Sequence, residues 1–172
     1  SIALCACNLS QLYINVDSAA MEKYLQLCVK RSVQTNNESR IIHSYITASV
    51  AYAHNKRYND AYQYELKAID LLEKSNTDQV MLLRRYIAAG TLSAALKMDT
   101  GLTTSYFKKS FTILSANPDR QNLRDYYYQA TVFYKDNKNF AAAYDNYKKY
   151  ILYRDSIVNE KTQTSIAELT TK

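Results

Sequence analysis

Along residues 45–69, apolar and small side chains return three and four positions apart: Tyr45, Ala48 and Tyr52, then Tyr58, Ala61 and Tyr62. That spacing lines one face of a 3.6-residue helix, whereas a half-buried strand alternates with period two. Between the two stretches stand Asn55, Lys56 and Arg57, residues that tolerate the left-handed backbone on which helices end. The segment reads as helix, short turn, helix. Helix starts are marked as well: Asn117 before Pro118 sets a side-chain cap ahead of a residue preset for a first turn, and Asn76 with Gln79 resembles a capping pair.

The pattern repeats. Laid on 127–151 at an offset of 82, positions 45–69 give ten identities, against roughly two expected from composition. Among them are Tyr45/Tyr127, Ala48/Ala130, Tyr52/Tyr134, Asn55/Asn137, Lys56/Lys138, Ala61/Ala143 and Ile69/Ile151. Half of that offset predicts an intermediate copy, which Leu92, Ser93, Leu96, Leu102, Ser105, Tyr106 and Ile113 fit, with Asp99-Thr100-Gly101 as its link. A copy preceding these runs through Leu4, Cys7, Asn8, Ala20, Tyr24 and Leu27. Ala20, Ala61, Ser105 and Ala143 are then spaced by 41, 44 and 38, as are Cys7, Ala48, Leu92 and Ala130. The expectation is an all-α chain of four helix pairs, units about 1–38, 39–76, 77–117 and 118–158, with 159–172 extending the last helix.

Composition narrows the function classes. In 172 residues there are 2 Gly and 1 Pro, and 47% of positions are apolar; that suffices for a core but leaves little for the tight turns of a β-fold. Gly90 and Gly101 open no glycine-rich phosphate loop. The net charge of +6 is spread over doublets such as Lys30-Arg31 and Lys148-Lys149, which read as solvated helix faces and speak against nucleic acid as a partner. The longest apolar run, Ile2 to Cys7, is six residues, short of the roughly 18 that cross a bilayer. The missing initial Met and the helical pattern still running at Lys172 suggest a piece of a longer protein. Cys5, Cys7 and Cys28 form no Cys-x-x-Cys zinc pair and read as small core residues; Cys5 and Cys7 cannot bridge each other along a helix. Cys7 and Cys28 can face each other across the first helix pair, where oxidation would join them.

The spacing of Tyr127, Ala130, Thr131 and Tyr134 followed by Ala143 and Tyr147, and of Tyr45, Ala48, Ser49, Tyr52 and Ala61, resembles the tetratricopeptide repeat (TPR), although the spacing here exceeds the family's 34 residues. The resemblance implies a superhelical solenoid of about four helix-turn-helix units plus a C-terminal helix, whose first helices line a concave groove. Transferred onto this chain, the ligand-facing positions are His43, Ile46, Thr47, Val50 and His54; Gly90, Thr91, Ala94 and Lys97; and Asp125, Tyr128, Gln129, Val132 and Lys135. The cationic clamp of chaperone-binding members is not reproduced, since Ile2, Cys5, Ala6 and Leu9 hold the comparable places. A protein or peptide segment is the implied ligand.

No catalytic, metal or cofactor motif accompanies this surface. His43 and His54 share a helical face, but eleven residues separate them, about 16 Å along an axis, too far to hold one ion. Reading Tyr126-Tyr127-Tyr128 as a base-stacking platform conflicts with helical geometry, which points the three rings in different directions. The last stretch, from Lys149-Tyr150 through Asp155-Ser156-Ile157 to Ile166 and Leu169, resembles the exit of TPR arrays in bacterial membrane-tethered histidine kinases and LuxR-type regulators. Ile166 and Leu169 start a coiled-coil seam there, a route to oligomerisation. That resemblance implies a sensory part facing the periplasm, with the cytoplasm as the alternative compartment; a stand-alone scaffold is the alternative function, and a basic nucleic-acid-binding helical repeat a further one.

Overall fold

A computed structural model describes residues 2–116 and 118–170, the side chains of 166–170 excepted. The fold is all-helical: α1 (Ile2–Tyr13), α2 (Ser18–Val33), α3 (Glu38–His54), α4 (Tyr58–Ser75), α5 (Gln79–Ala95), α6 (Thr100–Ala116), α7 (Arg120–Asp136) and α8 (Phe140–Thr170). Consecutive helices pack in pairs, α1 on α2, α3 on α4 and α7 on α8, while α2 meets α3 and α4 meets α5. Two compact units divide the chain, Ser1–Tyr106 and Phe107–Lys172. Their boundary falls inside α6.

Helix ends carry a strict period. Asn37, Asp78 and Asp119 are the N-caps of α3, α5 and α7, and their side chains accept from the backbone N–H of Arg40, Met81 and Asn122; each member lies 41 residues after the last. The turns after α3, α5 and α7 do the same, with Lys56, Lys97 and Lys138 all left-handed at φ between 54° and 59°. These positions fix the register that the sequence reading missed in the third copy. The small residue of the first helix is Ala89, not Leu92, so the series is Cys7, Ala48, Ala89, Ala130 with constant steps of 41, and all four are buried. The link is Leu96-Lys97-Met98, not Asp99-Thr100-Gly101; Gly101 lies inside α6, and the Asp99 carboxylate accepts from Leu102 N–H at 2.9 Å. Ser105 is exposed, and Thr103 fills the buried small position of α6, its hydroxyl 2.9 Å from that of Ser93. Small residues at these crossings let backbones approach closely.

Two capping expectations also change. Asn117 lies outside the described residues, and Pro118 precedes α7 instead of starting it. Gln79 does donate to Asn76 Oδ1, but Asn76 is the left-handed residue that ends α4, and Asp78 caps α5. At α5 the physical reason is that Asp78, two residues beyond Asn76, is placed to accept from the free N–H groups of the first turn.

Tyrosines join the helix pairs. Tyr52 donates to Glu22 Oε1 at 2.8 Å, Arg57 reaches Glu22 Oε2 at 2.7 Å and lies 4.4 Å over the Tyr52 ring, so α2 and α3 meet through a charge-assisted cluster. The hydroxyls of Tyr62 and Tyr106 are 2.8 Å apart, and Tyr86 donates to Glu73. Tyr126, Tyr127 and Tyr128 turn to different neighbours: Tyr126 to Phe107 and Phe111, Tyr127 stacked on Tyr153, and Tyr128 near Tyr150. Burial pushes the Tyr126 hydroxyl up to about 12.

At the α3–α4–α5 junction the Glu65 carboxylate is fully buried, with Arg85 Nη1 3.3 Å away and a hydrogen bond from Ser49. Burial pushes this carboxyl above its ordinary 4.5, against the pull of Arg85 and Ser49. The folded chain therefore holds the proton more tightly than the unfolded one. Stability from this group is fully present below about pH 4.5 and declines as pH rises through the folded value. Glu65→Gln removes that slope, so wild type should gain on the variant in urea titrations as pH falls from 7 to 5. A difference constant with pH would contradict this.

Candidate functional site

In the N-terminal unit a cavity of about 600 Å³ opens between the N-terminal ends of α1, α3 and α5 and the C-terminal ends of α2 and α4. Its apolar wall is Leu4, Ile42, Leu72 and Met81, and charged or polar groups at Glu38, Arg40, His43 and Asp78 stand around it. The local sequence explains the position. α3 and α5 begin in register after the caps Asn37 and Asp78, so their opening turns come to the same edge, where Leu4 and Cys7 of α1 meet them and Ser32 and Leu72 close it from the second helices. Cys7 lines it as well, and Cys7 is joined to Cys28 in a disulfide that staples α1 to α2. The chance of oxidation noted from the sequence is thus realised in the structure. Cys5 is a free, exposed thiol.

The groove positions taken from the family resemblance distribute unevenly. His43 is exposed and forms part of the cavity; Val50 and His54 are exposed further along α3. Thr47 is 2% exposed, its hydroxyl donating to the His43 carbonyl at 2.9 Å, so it offers little to a ligand. Thr91 is half-buried and donates to the Ile87 carbonyl within α5. Lys97 leaves the helical face altogether, because it is the left-handed turn residue after α5. In register with His43, α5 carries Arg84, which the sequence reading passed over. In the second unit Asp125 is paired to Arg124 at 2.6 Å, and Tyr128 is exposed with its ring 5.3 Å from that of Tyr150. Gln129 is half-buried, and Lys135 is exposed with Nζ 3.8 Å from Asp136.

Only His43 of the expected set enters the cavity. The other lining residues lie at helix ends, which the spacing along a single helical face does not reveal. The available signal was the 41-residue recurrence of Asn37, Asp78 and Asp119, which aligns those ends. Among the described residues no group of three His, Cys, Asp or Glu is placed to hold a metal ion, and no helix is long and apolar enough to cross a membrane. What the cavity can do chemically is accept an apolar side chain while its polar groups meet the flanking backbone or a charge. Compared with known proteins, the chain matches no family model and no curated sequence.

Proposed function

We propose that the chain is a non-catalytic, TPR-like superhelical solenoid of four helix pairs that binds a protein or peptide segment, and that it is the sensory part of a bacterial signalling or transcription-regulatory protein. The observation that carries the binding role is the cavity at the helix ends, with Met81 and Ile42 as its apolar anchor site and Arg40 and His43 beside them. An apolar side chain inserted there and held by polar contacts at the edge is a familiar way for repeat proteins to hold an extended or helical segment.

A displayed peptide library selected against the wild-type protein tests this. Met81→Arg fills the cavity and Arg40→Glu reverses its charge, and each is expected to weaken selected peptides by about tenfold or more, equivalent to about 1.4 kcal/mol. A library that yields no binder, or binders indifferent to both substitutions, overturns the reading.

The sensory role draws on the resemblance of 149–172 to the exit helix of membrane-tethered receptors, and on α8 running unbroken from Phe140 to Thr170. A bound peptide that prefers one arrangement of the helix pairs shifts the population toward it. Hydrogen exchange with a selected peptide should show protection at the first turns of α3 and α5 together with altered exchange in 159–170. Protection confined to α3 and α5 removes the coupling.

A further inference from the structure

We propose that the exposed face of α8 is a homodimer interface, on which α8 of a second copy packs antiparallel about a two-fold axis near residue 149. Phe140, Tyr144, Tyr147, Ile151 and Val158 share one stripe of the helix, and four of these five are between 47% and 66% exposed. At 100° per residue this stripe lies roughly 90° around from the face that packs on α7 through Ala143 and Ile157.

The chain shows what such a face does when it is covered. At the offset of 82, Tyr144, Tyr147 and Ile151 correspond to Tyr62, Glu65 and Ile69 of α4. All three of those are buried: Tyr62 meets Tyr106 of α6, and Glu65 meets Arg85 of α5. On α4 this face is the seat of the next helix pair. On α8 it keeps Tyr144 and Ile151, adds Tyr147 in the place of Glu65, and leaves both tyrosines exposed.

The occupant follows from symmetry and charge. Reversed about residue 149, the centre and ends of the stripe map onto each other: Phe140 opposes Val158, and Tyr147 opposes Ile151. An isologous interface needs this self-complementarity. Lys148 and Asp155 lie on one flank of the stripe, so antiparallel packing brings Lys148 of each copy toward Asp155 of the other. Parallel packing sets like charges together. Head-to-tail stacking on α1 of a second copy fits less well, because where α3 meets α2 through Tyr52, α1 has Gln11.

Sedimentation equilibrium of the full chain, with circular dichroism as the folding control, tests the interface. The expected mass is twice the 19.8 kDa of one chain, and association should strengthen with salt because each copy carries +6. Tyr147→Glu with Ile151→Glu should weaken dimerisation at least roughly 30-fold without loss of helix. Lys148→Asp alone should weaken it, and adding Asp155→Lys in the same chain should restore it. A chain that stays at 19.8 kDa across the concentration range, its face then open to a helical hairpin of another protein, overturns the proposal. So does a dimer indifferent to both sets of substitutions.

Discussion

Reduction of the Cys7–Cys28 disulfide is expected to lower the stability of the N-terminal unit by about 3 kcal/mol, the largest single effect in the molecule. The bond closes a loop with a sequence separation of 21, and cross-linking a loop of that length removes conformational freedom chiefly from the unfolded chain. Both sulfurs are buried in a small apolar cluster with Ala6 and Leu27, so no new cavity accompanies reduction and the loss is that of the staple. For a chain of this size the corresponding fall in melting temperature is about 6–12 °C. Thermal unfolding with and without reductant reads it, and Cys28→Ala should reproduce the reduced curve. Cys5→Ser, at an exposed thiol, should change neither. Equal melting curves for oxidised and reduced protein would contradict the expectation, as would an intact mass that does not rise by two hydrogens on reduction.

The second large effect is Ala89→Leu, expected to cost about 2 kcal/mol through overpacking. Ala89 is 0% exposed and stands at the 41-residue position shared by Ala48 and Ala130, where close approach of helices leaves no room for three further carbons. Ala95→Leu is the control, because Ala95 is exposed on the same helix and leucine propagates a helix almost as well as alanine. Denaturant titration should separate the two variants clearly. Equal stability would remove Ala89 from the packed series and with it the uniform register.

Much of the fold was legible, and the errors have one physical source. Copies two and four share ten of 25 positions, enough to reveal the helix-turn-helix unit and its length. The third copy kept Tyr86 and Ala89 in the places of Tyr45 and Ala48, yet its turn replaces Asn55 and Asn137 by Leu96. With a lysine in the left-handed position instead of a glycine or asparagine, the chain gave no local punctuation there, and Leu92 and Ser93 drew the register three residues too far. Candidate site residues suffered more. A helical face can be projected from one segment, so the exposure of His43, Val50 and His54 was within reach. The cavity brings together ends of five helices, and nothing in any single segment announces that meeting. Likewise, Thr47 sits on the expected face but one side chain deeper, where its hydroxyl turns back to its own helix.

Backbone chemical shifts at Lys56, Lys97 and Lys138 test the 41-residue register most directly. The account predicts positive φ at all three, each between helical residues, with caps at Asn37, Asp78 and Asp119. Helical shifts continuing through Lys97, or a chain break displaced to Asp99–Gly101, would contradict it.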